Sequence, residues 1–238
     1  MGTERARPSV RSLGQARVHV LGPGVTASEL LADEEGCRGL HQRRLRFAGG
    51  AALAGAAGGR GEAWYVISGS GAVDPDGSRA VALESGTAVW MKPGLRYRCQ
   101  AEAGRDLEVL SVLVQAEPEG DEAGPELCVA RLAACEPERT GDREFRVLLS
   151  EGLTFTQFAG LIPPGRAPAH HHTYDEVVHV LAGRGVVHLS GTTTEIGPGT
   201  SIYLPPYQPH CLENTGPDPL EVLGVFHPAG SPAAKQTS

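Results

Sequence analysis

Three histidines and one glutamate in the second half of the chain have the types and spacing of a metal site. The stretch 165–185 reads GRAPAHHHTYDEVVHVLAGRG. His170 and His172 are two residues apart, so on an extended strand their side chains point to one face. Glu176 follows at an even spacing and can share that face. A fourth donor, His210, stands in SIYLPPYQPHCLENTG, where Pro206 and Pro209 stiffen its approach. Imidazole and carboxylate donors that converge suit a divalent transition metal. An HxH pair alone is a weak signal, because a histidine-rich loop in water reads the same way; the spaced Glu and the later His tip the balance toward one metal per chain. Three His and one Glu leave positions open on a metal that takes five or six ligands, which separates a reactive site from a closed structural one. The donor set suits Fe(II), Mn(II), Ni(II), Cu(II), Co(II) or Zn(II). Glu176 is also the candidate catalytic group, as ligand and proton acceptor at once.

Five further residues are candidates for contact with a substrate. Gln157 lies in LTFTQFAGLI, just before the motif, where it either hydrogen-bonds a substrate or ligand or is a strand-edge polar residue. Arg166 opens the motif, Tyr203 and Tyr207 flank His210 and either line the pocket or cover its mouth, and Phe226 closes the last strand. Alternation turns His171, Asp175 and His179 away from the ligands, and Cys211 away from the His210 side. His188 reads as structural, and His227 as a strand-end residue with many uses.

The elements that must position these groups are strands, and they come twice. Gly50 matches Gly165, GEAWYVISGSG (61–71) matches DEVVHVLAGRG (175–185), and SGTAVWMKPG (85–94) matches PGTSIYLPPY (198–207). WYVISG, VVHVLAG, AVWMK, SIYLP, LEVLSVLV and LEVLGVF are short, rich in β-branched, Leu and aromatic residues, and bounded by Gly or Pro. Gly (32) and Pro (18) make about a fifth of the 238 residues, which suits many strands joined by turns. Two stretches read as helical: VTASELLADEEG (25–36) and PELCVARLAAC (125–135), the second after the acidic EPEGDEAGP.

Charge and composition exclude other classes. The net charge is −7, Lys occurs only at positions 92 and 235, and there is no basic block, so neither nucleic acid nor an anionic membrane surface is an expected partner. Five cysteines with no CxxC pair read as reduced thiols. No apolar run is long enough to span a membrane and the N-terminus lacks a signal-peptide core, so a cytoplasmic protein is expected.

The spacing in the second half resembles the two cupin motifs. Gly165, His170, His172, Glu176 and Gly183 fit the first, with four residues rather than five after Gly165. Gly199, Pro205, His210 and Asn214 fit the second, with Tyr207 in place of a glycine. The resemblance implies an all-β chain of two tandem cupin barrels (double-stranded β-helix, or jelly-roll). The expected layout is a disordered tail at 1–15, a degenerate barrel at 16–120 and a linker with a short helix at 121–140. A metal-binding barrel at 141–230 and a disordered tail at 231–238 complete it. In the first half the HxH positions fall on Ala56 and Gly58 and the place of His210 falls near Tyr97, so only Glu62 survives and no metal is expected there. The alternative is an organic ligand beside Trp64, Trp90 or Arg96. The resemblance further implies an enzyme acting on a small chelating substrate with O2, a quercetinase-like dioxygenase, and a homodimer. A non-oxidative isomerase, lyase or aminohydrolase using the metal as Lewis acid, or a ligand-binding bicupin without turnover, are the other readings.

Overall fold

The computed structural model describes residues 6–32, 37, 39–76, 79–115, 124–166 and 168–234. The described chain forms strands numbered β1 to β21 in chain order, with single-turn 3-10 helices at Leu13–Gln15 and Leu132–Ala134. It is two tandem cupin barrels, as the duplicated pattern led us to expect.

In the first barrel β3 (Val25–Leu31), β4 (Leu40–Phe47), β10 (Leu107–Gln115), β6 (Arg60–Pro75) and β8 (Thr87–Met91) lie side by side. In the second, β13 (Arg143–Leu149), β14 (Thr156–Ile162), β21 (Leu220–His227), β16 (Asp175–Ala182) and β19 (Thr200–Leu204) repeat that order. The sheet of β15 (Gly165–Arg166), β20 (His210–Asn214), β17 (Gly185–Leu189) and β18 (Thr192–Ile196) completes the second barrel. Alternation sorts the side chains. Val178 and Val180 face the barrel interior with Ile202 and Val222, whereas Val177, Leu223 and Val225 face outward.

Those outward faces are buried because the barrels pack on each other. Leu30, Leu31, Leu40, Tyr65 and Val112 of the first barrel share one apolar cluster with Leu149, Val177, Tyr203 and Val225 of the second. Trp90 meets Phe155 across it, with ring centroids 4.8 Å apart.

The barrels also exchange strands. β1 (Ser9–Ser12), at the start of the chain, pairs with β19 of the second barrel, from Ser9 opposite Tyr203 to Ser12 opposite Thr200. β11 (Leu127–Arg131) pairs in the same antiparallel sense with β8 of the first. Each exchanged strand covers a sheet edge that would otherwise carry unpaired backbone groups. The exchange corrects two expectations. Residues 9–15 are ordered rather than a disordered tail, and the helix expected at 125–135 is a strand followed by one 3-10 turn. Pairing with a distant edge, from Ser9 opposite Tyr203 in one case and from Leu127 opposite Met91 in the other, overrides the weak local signal in both places.

The helix expected at 25–36 is also a strand, β3, over its first seven residues; residues 33–36 lie outside the described set. Ala27 faces the first barrel's interior, and past a register shift between Glu29 and Leu31 both Leu30 and Leu31 are buried in the inter-barrel cluster. The resulting apolar spacing of 27, 30 and 31 mimics a helical face.

Candidate metal centre

The four predicted donors meet at the inner end of a cavity in the second barrel. β16 carries Glu176 on its interior face, opposite Phe226 of β21. His210 begins β20 and forms an antiparallel bridge with His170, the backbone N–H of each donating to the carbonyl of the other at 3.0 and 2.9 Å. The backbone of His172 is held in turn, its carbonyl accepting from the Tyr207 N–H at 2.7 Å. Tyr207 sits at φ +63°, the left-handed conformation that glycine adopts freely. The turn before His210 therefore holds Tyr207 in a conformation that suits the motif glycine, at some backbone strain.

The donor atoms are close enough to share one ion. One ring nitrogen from each of His170, His172 and His210 lies within 4.8 Å of the others. Glu176 Oε2 lies 3.7 Å from Nε2 of both His172 and His210. His210 Nδ1 is 3.0 Å from the Gln208 carbonyl, so it is the protonated nitrogen and Nε2 presents its lone pair to the cluster. All four side chains are buried.

Burial fixes their charges. Desolvation, reinforced by neighbouring imidazoles, pushes His170 down to about 3, and desolvation pushes His210 down to about 4. Both rings are therefore neutral donors at neutral pH. Desolvation pushes the Glu176 carboxyl up to about 8, against the opposing charge of Arg143. Its Oε2 is buried with no hydrogen-bond partner, an arrangement that costs free energy unless a cation is bound. Neutral imidazoles around a carboxylate with nothing to pair it fit a divalent metal ion.

The cavity above the donors holds about 590 Å³, its open mouth included. Phe145, Phe158, Val178, Leu212, Val222 and Phe226 form apolar walls, and Arg143 and Glu144 stand among them. Tyr174 stacks on His172 (centroids 5.0 Å, planes 10° apart) and donates its hydroxyl to the Ser231 carbonyl at 3.0 Å. Pro232 also lines the cavity, so residues 231–234 belong to the site's surroundings and are not a disordered tail; residues 235–238 lie outside the described set.

Of the substrate candidates, Phe226 alone lines this cavity. Gln157 is fully buried but points the other way, because in β14 the interior positions are Thr156 and Phe158. It pairs across with Val225 and Leu149 of the inter-barrel cluster, where its amide atoms have no hydrogen-bond partner. Gln42, its mate in the first half, is in the same state. Tyr203 likewise faces the inter-barrel cluster and donates to Asp175 Oδ1 at 2.5 Å. Tyr207 is 65% exposed, beside His171. Arg166 is exposed on β15, away from the cavity. His227 stands on the outer face across from Asp175 and close to Gly39. His179 bonds Ser201 at 2.9 Å, and His188 bonds Glu213 at 2.7 Å. Sequence reasoning missed Arg143, Phe145 and Phe158, which reach the cavity from strands upstream of the motifs.

The first barrel solves the same position differently. Glu62 occupies the place of Glu176 but is already satisfied: Arg43 Nη2 donates to Oε1 at 2.6 Å, and Trp64 Nε1 and the Tyr97 hydroxyl donate to Oε2 at 2.7 and 3.2 Å. A guanidinium supplies the positive charge that a metal would bring. Of the residues named for an alternative ligand, Trp64 packs edge-on to Tyr97 and bonds Glu62, Trp90 lies in the inter-barrel cluster, and Arg96 is exposed and paired with Asp76. Replacing Arg43 by Met strands Glu62 in the interior and is expected to lower stability by about 3–5 kcal/mol. The denaturant midpoint should fall accordingly, and recover in part when Glu62→Gln is added.

Comparison with known proteins agrees with this architecture. Residues 159–226 match the family model described as a cupin domain. An uncharacterised protein of Methanocaldococcus jannaschii is 40% identical over 58 residues, which are 24% of this chain and 46% of that one. The mannose-1-phosphate guanylyltransferase ManC of Salmonella typhimurium is 41% identical over 56 residues, 24% of this chain and 12% of the enzyme. The matched stretch thus spans less than half of either relative. Among solved structures, a variant of the Bacillus subtilis oxalate decarboxylase OxdC superposes with a TM-score of 0.78 at 18% identity, covering 100% of this chain and 80% of that one. Protein Ylba from E. coli superposes with a TM-score of 0.77 at 16% identity, over 94% and 92% of the two chains. At such identities the likeness establishes the fold, a bicupin, and leaves the chemistry to the site itself. No described helix is long and apolar enough to cross a membrane.

Proposed function

We propose that this protein is a metal-dependent enzyme acting on a small chelating organic substrate, with one divalent transition metal held by His170, His172, Glu176 and His210. The observation that carries the reading is the convergence of these four donors, buried and with Glu176 Oε2 lacking a hydrogen-bond partner, in a cavity with largely apolar and aromatic walls. The metal, when bound, would act as a Lewis acid on a chelated carbonyl, carboxylate or enolate, or bring such a group together with O2. The chain's own contribution is clearer. The bridge between His170 and His210 fixes two donors to one backbone unit. The wall of Phe145, Phe158 and Phe226 excludes water from the reacting face. In the metal-free protein Glu176 holds its proton up to about 8, so uptake of a metal would displace that proton.

Within this reading, dioxygenase chemistry is the first hypothesis, on the open coordination positions and the aromatic wall of the cavity. A second is favoured by a specific observation: a neighbour of the same fold is an oxalate decarboxylase with Mn(II) centres, so non-oxidative carbon–carbon chemistry at a carboxylate is compatible with the fold. Oxygen uptake separates them. The protein reconstituted separately with Fe(II), Mn(II), Ni(II), Cu(II), Co(II) and Zn(II) is offered a panel of hydroxy-carbonyl compounds and 2-oxo acids. Stoichiometric O2 consumption with substrate loss supports the dioxygenase; turnover that is unchanged under argon supports the non-oxidative enzyme. Substrate binding without conversion under either gas would leave a binding protein and remove both.

A further inference from the structure

Three partly buried arginines of this protein have carboxylate partners. Arg43 pairs with Glu62, Arg44 with Glu108, and Arg146 with Glu144. Arg143 makes a single hydrogen bond, from Nη2 to the Leu212 carbonyl at 3.0 Å, and no ion pair. Of its two acidic neighbours in sequence, Asp142 is exposed and forms no ion pair with it, though its charge is felt there, and Glu144 is turned to Arg139 and Arg146. Yet Arg143 lines the cavity that holds His170, His172, Glu176 and His210.

A guanidinium taken part-way out of water without a counter-ion is costly. Its burial lowers the arginine's affinity for its proton, and its charge is felt by Glu176. Once Glu176 is committed to a metal, it no longer serves as that counter-ion, and the inner cavity carries net positive charge. The hydrogen bond to Leu212 holds the fork in place and leaves further N–H donors for a ligand. Around it the walls are apolar and aromatic: Phe145, Phe158, Leu212, Val222 and Phe226.

We propose that Arg143 is the anion anchor of this cavity and that the substrate is a small organic acid, its carboxylate held between the metal and the Arg143 guanidinium and its apolar body lying against the phenylalanine wall. This rests on the metal-centred reading above and adds the class of substrate. Arg143 is the counterpart in function of Arg43 in the first barrel, with one difference. Arg43 has an internal carboxylate, Glu62, as its ion-pair partner; Arg143 makes no ion pair and lines a cavity. The missing carboxylate is the one the ligand brings.

The test compares acids with their amides. Benzoate, phenylacetate and benzoylformate, each beside its matched amide, are titrated calorimetrically into the full-length protein, both zinc-loaded and metal-free. Wild type, Arg143→Lys and Arg143→Met are compared. In wild type at least one acid binds more tightly than its amide in both metal states. Arg143→Met weakens acid binding by roughly 10- to 100-fold, the range for a hydrogen bond to a charged group, and leaves the amide unchanged. Arg143→Lys falls between, because it keeps the charge and loses the fork. Metal content stays at one equivalent in all three, since Arg143 is not a ligand. Acids that bind no better than amides, or that bind Arg143→Met as tightly as wild type, would overturn the anchor while the metal centre stands. A wild type without metal would overturn the metal-centred reading instead, and the metal-free titrations would still decide on Arg143. Should Arg143→Met fail to fold, the lysine variant carries the comparison.

Discussion

Changing His170 and His172 to alanine should leave a folded protein that no longer takes up metal and no longer turns over any substrate. The two rings are half of the donor set and reach the cluster from the short segment that is bridged to His210. That bridge is made by backbone groups, which alanine retains. Both rings line the cavity, and His172 stacks on Tyr174, so their loss is expected to cost some stability while the two barrel cores stay intact. The effect is therefore separable from unfolding and shows best as a lost linkage. A ligand at a thousand times its Kd stabilises the native state by about 4 kcal/mol. For a chain of this size that is a rise in Tm of about 8–16 °C. Wild type titrated with Zn(II) or Mn(II) should show the rise, and the double variant less than about 2 °C by the same relation. An equal rise in both would place the bound metal elsewhere.

The second large effect is on pH. In the metal-free protein Glu176 holds its proton up to about 8, whereas His170 and His210 are already neutral well below that. A metal requires the carboxylate, so binding between about pH 5 and 8 expels one proton, and affinity should rise about tenfold per pH unit until it levels off above 8. From pH 6 to pH 8 the gain is on the order of 100-fold, measurable by competition with a chelator. Glu176→Gln should flatten this slope and weaken binding throughout. The sign for stability follows from the same shift. A carboxyl whose folded value lies above its unfolded one favours the fold most below about 4.5, and that contribution is lost as pH rises through about 8. The metal-free Glu176→Gln protein should therefore be more stable than wild type at pH 9 and little different at pH 4. A metal affinity independent of pH between 6 and 8 would contradict the protonated Glu176.

What could be read from the sequence was what is local. His170, His172 and Glu176 lie within seven residues, and His210 follows a proline-stiffened turn, so their spacing carries the site directly. The duplication likewise shows in matched glycines and strands. Arg143, Phe145 and Phe158 were out of reach because they join the site through strand register, and β13 carries an irregularity between Val147 and Leu149 that local alternation does not reveal. Gln157 and Tyr203 were misplaced for a related reason. Both are near the motifs, but alternation alone does not say which face of a strand is the barrel interior when the second barrel buries the other face too. The strand exchange of β1 and β11 is a pairing over long separations, and a short stretch such as SVRS has no local feature that announces it. The charge replacement in the first barrel was half visible: the loss of the histidines could be counted, while Arg43, nineteen residues before Glu62, could not be tied to it without the fold.

The most direct test of the central claim is the metal content per chain, by plasma mass spectrometry, of wild type, Glu62→Gln and Glu176→Gln prepared side by side. One equivalent in wild type, one in Glu62→Gln, and a marked loss in Glu176→Gln is the result predicted for a single centre in the second barrel. Two equivalents in wild type with one lost in Glu62→Gln, or no metal in any of the three after reconstitution, would contradict it.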